Sequence, residues 1–274
     1  MEIALLSVRE LTRRFGGFTA VQKVSFSLQP GEILGLIGPN GSGKSTTFNL
    51  IAGALAPSEG SILLHGKEIG GAMPNQVCRA GVARTFQIPR PFRKLSILEN
   101  ANLAAFYGSS RRLTAAEAQH QAGDALELVG LPTSGTAQVD GLGAAGLKKL
   151  EMARALATRP QLLLADESLG GLDEQEMEQA ADMLSRIRRE RGVTIIWVEH
   201  IMGVLMRVVD RCIVLDHGEV IAQGSPSEVA NHPKVIEVYL GTDATQVQEQ
   251  VHLQGRRQAQ GQGRQQDGQR GPAA

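Results

Sequence analysis

Residues 38–45 read "GPNGSGKS", a glycine-rich segment that ends in a lysine and a serine. It follows the apolar run "EILGLI", residues 32–37, which is typical of a strand buried in a parallel sheet. A helix is expected to follow, from about Lys44 through Ala52. A glycine-rich loop between such a strand and such a helix is the context that a phosphate-binding loop requires. The stretch therefore predicts a nucleotide-binding α/β fold.

The residues of this phosphate loop have separate chemical roles. Backbone N–H groups and the positive end of the helix dipole bind phosphate oxygens, Lys44 can reach the β- and γ-phosphates, and the Ser45 hydroxyl can ligate Mg²⁺. A glycine-rich turn with a chance lysine is the alternative, and the flanking strand and helix argue against it. The expected nucleotide-binding residues are Gly38, Pro39, Asn40, Gly41, Ser42, Gly43, Lys44, Ser45 and Thr46.

A second apolar strand, "LLLADE" at residues 162–167, ends in two carboxylates. Because side chains alternate along a strand, Asp166 and Glu167 point in different directions and can have different roles. We expect Asp166 to belong to the Mg²⁺ shell and Glu167 to orient and deprotonate the attacking water. Without a phosphate loop upstream, such a pair would more simply be a helix cap or a solvated turn.

Two further polar residues are informative only in combination with these motifs. His200 ends the strand "VTIIWVEH", where a lone histidine is usually structural, and it becomes a candidate γ-phosphate ligand beside the other motifs. Gln87, in "VARTFQIP", would by itself be an exposed loop glutamine.

Composition limits the class of protein. The chain has 274 residues, enough for a full core, and its 28 basic and 28 acidic side chains give no bulk field for nucleic acid or an anionic membrane. Cys78 and Cys212 match no zinc or disulfide spacing, so we expect buried thiols in a reducing compartment. No apolar run approaches the ~20 residues of a membrane helix, and the first residues lack the features of a signal peptide.

Capping and turn signals place the other elements. Capping boxes at Ser96 with Glu99 and at Thr114 with Glu117 predict helices within residues 95–130. A helix is expected from Leu142, another near Asp173, and a hairpin that turns at residues 217 and 218. From residue 246 onward the chain contains ten glutamines and four arginines, which predicts a disordered tail.

The chain resembles the nucleotide-binding subunit of an ABC transporter. The resemblance is carried by a series of motifs in this order: "GPNGSGKS", Gln87, "GAAGLKKLEMARAL", "LLLADE", "GGLD" and "VEH". The resemblance covers about residues 4–241. It implies a P-loop NTPase fold with a RecA-like core, an antiparallel β subdomain and a helical subdomain over about 90–158, followed by a tail at 242–274.

The resemblance also implies that Phe15 stacks on adenine, although a core phenylalanine is the competing interpretation. By the same resemblance Gln87 senses Mg²⁺ and links hydrolysis to the membrane subunit, and Asp173 lies at a dimer seam.

Two stretches narrow the resemblance. They resemble the ATP-binding subunits of branched-chain amino acid importers and of related urea, short-chain amide and aromatic-acid systems. The stretches are "GVARTFQIPRPFRKLSILENANLA", residues 81–104, and "HPKVIEVYLG", residues 232–241. The helical segment at 101–142 is shorter than that group would lead one to expect.

The narrowed resemblance implies ATP and Mg²⁺ as cofactors and coupling of ATP hydrolysis to solute uptake through a separate membrane permease. It further implies a second ATP-binding subunit, an extracytoplasmic solute-binding protein, no nucleic acid and a peripheral position on the cytoplasmic face of the inner membrane. A soluble ABC-type ATPase of DNA repair or translation is one alternative, and a regulatory subunit that binds but does not hydrolyse ATP is another.

The chain departs from the family's signature, Leu-Ser-x-Gly-x. Leu142 occupies the leucine position, but Gly143 replaces the serine and Ala145 the glycine, within the segment Gly143, Ala144, Ala145 and Gly146. The missing hydroxyl would contribute about 1.5–3 kcal/mol as a charge-assisted hydrogen bond to the γ-phosphate.

Family geometry places that loss on the partner's nucleotide. Two such subunits sandwich two ATP molecules, and each signature completes the site of the other chain. We therefore expect a heterodimer whose second chain has an intact signature. The alternative is that the backbone N–H groups at 143–146, with the helix dipole, suffice and both sites function.

Overall fold

The computed structural model describes residues 4–167, 169–199 and 201–240. Their strands are β1 (Leu6–Phe15), β2 (Phe18–Leu28), β3 (Ile33–Ile37), β4 (Glu59–Leu64), β5 (Lys67–Glu68), β6 (Val82–Arg84), β7 (Leu162–Asp166), β8 (Thr194–Val198), β9 (Arg211–Asp216) and β10 (Glu219–Gly224). Their α-helices are α1 (Lys44–Ile51), α2 (Pro74–Arg79), α3 (Ile97–Gly108), α4 (Ala115–Leu128), α5 (Ala144–Leu156), α6 (Glu174–Arg191), α7 (Met202–Val208), α8 (Pro226–Ala230) and α9 (Pro233–Leu240).

The strands form two sheets. A mixed sheet has the order β10-β9-β3-β8-β7-β6, in which β3 runs parallel to both β8 and β9. Every residue of β3, β7 and β8 is buried, as expected for strands covered on both faces. An antiparallel sheet has the order β2-β1-β4-β5, and its apolar face shares a core with β3 and α1. The carboxyl ends of β3, β7 and β8 therefore meet at one edge of the mixed sheet.

Helices α3, α4 and α5 pack on one another and share the second hydrophobic core. They lie within the segment expected to form a helical subdomain, whose boundaries at about 90–158 stay a prediction. The tail at 242–274 lies outside the described residues. Within the described part of the chain, no helix combines the length and apolarity needed to cross a membrane.

Most of the predicted elements are present. The capping boxes at the starts of α3, α4 and α6 are formed, and β9 and β10 make the predicted hairpin. The helix expected from Leu142 begins two residues later, because Leu142 is extended and Gly143 is the N-cap of α5.

The first two strands are long, with 10 residues in β1 and 11 in β2. β1 continues to Phe15 and pairs with β2 through several register shifts, which interrupt the regular alternation of apolar and polar side chains. The expected burial of both thiols holds fully for Cys212 only, since Cys78 is half-buried with its sulfur 3.8 Å from the carbonyl oxygen of Gly108.

Candidate nucleotide-binding site

The phosphate loop closes around the ammonium group of Lys44. The lysine is buried, and its Nζ donates to the carbonyl oxygens of Gly38 at 2.7 Å and Pro39 at 2.9 Å. Burial lowers the pKa of Lys44, while the nearby carboxylates of Glu167 and Asp166 act to raise it. The lysine is therefore held inside the loop beside the two acidic side chains at the end of β7.

The N-terminus of α1 is arranged to receive an anion. Its N-cap, Gly43, supplies no side-chain hydrogen bond, and the first turn, all of it described, contains no acidic residue. Gly43 has a φ of 105°, and an added Cβ would lie 2.7 Å from the carbonyl oxygen of Ala20. The buried Ser42 hydroxyl also has no hydrogen-bond partner among the described residues. Open backbone N–H groups at a helix start favour bound phosphate.

Asp166 is paired with an arginine from the neighbouring strand. Strands β6 and β7 are parallel neighbours, and Arg84 Nη2 lies 2.7 Å from Asp166 Oδ2 while its Nη1 donates to Asn49 Oδ1 at 2.5 Å. Both side chains of the pair are largely buried. The arginine thus balances the charge of Asp166 and fixes its orientation.

Glu167 turns the chain away from β7. It has a φ of 43°, and its N–H donates to the carbonyl oxygen of Val198 at 3.0 Å. Gln87 Nε2 donates to Glu167 Oε2, so the structure brings these two predicted residues into contact. Lys148 of α5 donates to the backbone oxygen of Glu167 at 3.3 Å.

The remaining oxygen atoms fit Mg²⁺. The Ser45 hydroxyl is exposed at the start of α1, and neither Asp166 Oδ1 nor Gln87 Oε1 accepts a hydrogen bond from the described residues. Mg²⁺ prefers such oxygen ligands and is usually completed by substrate phosphates and water. Among the described residues there is no cluster of three histidine, cysteine or acidic side chains that could hold a metal.

His200 lies outside the described residues, but its neighbour Glu199 is well defined. This carboxylate is buried, and its Oε1 accepts from the N–H of Leu169 at 2.8 Å and from Trp197 Nε1 at 3.2 Å. Glu199 therefore holds the loop that follows Glu167.

Phe15 ends β1 on the surface. Its side chain is 43% exposed, and the Arg13 guanidinium carbon lies 4.6 Å from the ring centroid. This exposure argues against the competing core interpretation. An exposed ring with one face covered by a cation remains able to stack on a planar base through the other face.

The altered signature segment forms the start of α5. Gly143 is exposed and supplies no side-chain cap, and an added Cβ there would meet no atom within 4 Å. Asp173 is the N-cap of α6, where its Oδ1 accepts from the N–H of Glu176 at 2.8 Å. Both segments are therefore on the surface, and their predicted roles toward a partner chain stay predictions.

Three side chains at this site were missed by sequence reasoning: Arg84, Lys148 and Glu199. Arg84 and Glu199 lie inside the quoted motifs "VARTFQIP" and "WVEH", yet the residue type alone gives no partner. A basic residue at the end of one parallel strand beside an acidic end of another was the available signal for Arg84.

These features define a P-loop nucleotide-binding protein: a glycine-rich loop joins a buried parallel strand to a helix, and a lysine, two carboxylates and a glutamine lie beside the loop. A family model described as "ABC transporter" matches residues 21–170. A second, described as "Branched-chain amino acid ATP-binding cassette transporter", matches residues 219–245. The chain belongs to the ABC transporter family and is an ABC-type ATPase.

Curated relatives and solved structures agree with this family. The chain is 38% identical over 253 residues to the high-affinity branched-chain amino acid transport ATP-binding protein LivG of Escherichia coli (strain K12), covering 88% of this chain and 99% of the relative. It is 34% identical to BraF of Pseudomonas aeruginosa, named likewise, with the same coverage.

Among solved structures, the ADP conformation of an ATP-binding cassette of an ABC transporter has a TM-score of 0.78 at 28% identity, covering 88% of this chain and all of that one. A subunit of an ABC transporter complex from Clostridium perfringens has a TM-score of 0.76 at 28% identity, covering 87% and 96%.

Proposed function

We propose that this chain hydrolyses ATP to energise uptake of branched-chain amino acids, or of a related small solute, through a separate membrane permease. The observation that carries the proposal is the convergence of Gln87, Asp166 and Glu167 on the lysine-filled phosphate loop. The solute class is supported by the names of the LivG and BraF relatives and by the family model over residues 219–245. The same names favour transport over a role in DNA repair or translation.

In this proposal each group has one step. Backbone N–H groups of the loop and α1 bind the phosphates, and Lys44 exchanges its two carbonyl contacts for β- and γ-phosphate oxygens. Glu167, turned out of the sheet and oriented by Gln87, accepts a proton from the attacking water. The exposed Phe15 ring stacks on the adenine.

Mg²⁺ is part of the proposal. Ser45, Asp166 and Gln87 would hold it through oxygen atoms, and the ion would neutralise charge that develops on the phosphates. Arg84 would hold the Asp166 carboxylate beside this position through their 2.7 Å ion pair.

The partners follow from the same interpretation. The chain would bind permease subunits as a peripheral protein on the cytoplasmic face of the inner membrane, and an extracytoplasmic binding protein would deliver the solute. A heterodimer is favoured over a homodimer, because the signature segment of this chain lacks the serine hydroxyl that would complete the partner's site. In a homodimer both sites would lose that contact.

The hydrolytic role can be tested by measuring ATP turnover and uptake with the assembled transporter in vesicles. Glu167→Gln is expected to bind ATP as before and to lower turnover about 10²–10⁴-fold, the usual contribution of a general base. Uptake of leucine should be lost with it. The matched control is the equivalent substitution in the second ATP-binding chain, which should cost much less. Full turnover by Glu167→Gln would mean that the base is misassigned, and equal losses in the two chains would contradict the asymmetric heterodimer.

A further inference from the structure

We propose that Lys148 is a positioning residue for ATP hydrolysis: from the helix that carries the altered signature segment, it holds the backbone of Glu167. The inference rests on the proposed role of Glu167 as the base.

The contact joins two elements that are distant in sequence. Lys148 lies in the second turn of α5, and its Nζ donates to the carbonyl oxygen of Glu167 at 3.3 Å. An added Cβ at Gly170 would lie 4.0 Å from Lys148 Nζ, so the ammonium group also borders the loop beyond Glu167. One lysine thus spans from the signature helix to the segment that carries the carboxylate.

Charge favours this position of the lysine. Burial lowers the pKa of Lys148, while the carboxylates of Glu199 and Glu167 attract its charged form and act to raise that pKa. Glu199 is itself buried and accepts from the N–H of Leu169. The loop after β7 is therefore held at Leu169 by Glu199 and at Glu167 by Lys148.

Glu167 needs such support because of its backbone. A φ of 43° is in the left-handed region, which costs a residue with a side chain about 1–2 kcal/mol. Strained conformations persist where neighbouring contacts fix them. The hydrogen bond from Lys148 is made to this residue's own carbonyl group, so its removal should let the turn relax and move the carboxylate.

Lys148 also lies at a small pocket between α5 and α6. The walls of this pocket include Ala145, Lys148, Leu172 and Glu176. The side chain that contacts the backbone of Glu167 is therefore placed between the two helices.

The test compares three variants in the assembled transporter. Lys148→Met keeps the apolar stem and removes the ammonium group, Lys148→Arg keeps a donor and the charge, and Lys67→Met removes one charge from an exposed strand of the antiparallel sheet. We expect Lys148→Met to lower kcat about tenfold, with KM for ATP, ATP binding and Tm little changed. Lys148→Arg should retain most of the rate, and Lys67→Met all of it.

A double-mutant cycle with Glu167→Gln supplies the readout that a merely structural role would not move. If Lys148 acts through Glu167, then Lys148→Met should leave the residual rate of Glu167→Gln unchanged within twofold. A tenfold loss in both backgrounds would overturn the inference, as would a normal kcat for Lys148→Met in the wild-type background. Full turnover by Glu167→Gln would overturn the base assignment and this inference together, so the two failures are distinguishable.

Discussion

Gly38 shows how closely the phosphate loop approaches the rest of the sheet. Its φ is 149°, and an added Cβ would lie 2.2 Å from the carbonyl oxygen of Leu215 in β9 and 2.6 Å from Ser42 Oγ. The backbone oxygen cannot move away without disturbing the pairing of β9 with β3. Gly41 in the same loop also has a positive φ, yet an added Cβ there would meet nothing within 4 Å.

The two glycines give a matched pair of variants. Gly38→Ala is expected to lower Tm by several degrees and to weaken ATP binding at least about tenfold, because overpacking against backbone distorts the loop. Gly41→Ala should cost only the left-handed backbone penalty of about 1–2 kcal/mol. Thermal unfolding and titration with an ATP analogue would check both, and equal effects of the two substitutions would contradict the role given to Leu215.

At this scale the sequence is informative where a function lies within one short segment. Lys44, Ser45 and the pair Asp166 and Glu167 could be predicted as site residues because their strand, loop and helix context is local. Arg84 and Lys148 could not, since each acquires its partner only when β6 meets β7 or when α5 packs beside the loop after β7. Residue type and spacing do not predict those tertiary contacts.

At the scale of elements, the start of α5 is the unusual feature. Its N-cap is a glycine, and the segment that would complete the partner's nucleotide site is present as a helix without a hydroxyl. Replacing a serine cap by glycine costs a helix only a few tenths of a kcal/mol. Stability and function can therefore be separated at this position.

Restoring the signature should show the separation. Gly143→Ser with Ala145→Gly is expected to raise turnover of the assembled transporter several-fold while Tm changes little. Gly141→Ser is the control, because this glycine also has open space around an added Cβ but precedes the segment. Unchanged turnover in the double variant would favour backbone N–H groups as sufficient ligands.

Element boundaries were predictable where side chains mark them. Ser96, Thr114 and Asp173 each form the expected capping box, so the starts of α3, α4 and α6 follow from local chemistry. The elements β4 to β6 and α2 were not predicted: β5, β6 and α2 contain few residues, and β4 pairs with a strand far back in the chain.

For the whole molecule, a thiol and a phenol with raised pKa values affect stability at high pH. Burial raises the pKa of the Cys212 thiol to about 12 from an ordinary value of 9.0. Burial also raises the pKa of Tyr239 to about 12 from 10.0, although a hydrogen bond with the Gly38 backbone acts to lower it. Both groups hold protons more tightly when folded, so the unfolded chain releases them first as pH rises.

The contribution of these two groups to stability should accordingly be maintained up to about pH 9 and fall as pH rises from there toward 12, while Lys44 and Lys148, whose pKa values burial lowers, act in the opposite direction. Thermal unfolding from pH 7.5 to 11 would measure this. Cys212→Ala is expected to have a lower Tm at neutral pH, since it leaves a cavity, but a shallower loss above pH 9. An identical slope in the variant would show that this thiol does not contribute.

The α/β class was predictable, and so were the strands that carry the site. Their apolar runs are continuous and end in glycines, carboxylates or a histidine. The sheet order was not. Strand β3 lies between β8 and β9, far along the chain, and such pairing depends on tertiary packing rather than on local pattern.

That placement of β3 has a consequence for the time course of synthesis. The loop at 38–45 leaves the ribosome well before the strands on both sides of β3, Thr194–Val198 and Arg211–Asp216, are translated. A nascent chain that stops short of β9 would contain the complete glycine-rich motif and still lack one wall of its support. We therefore expect competence to bind nucleotide to be reached only after β9 has been made.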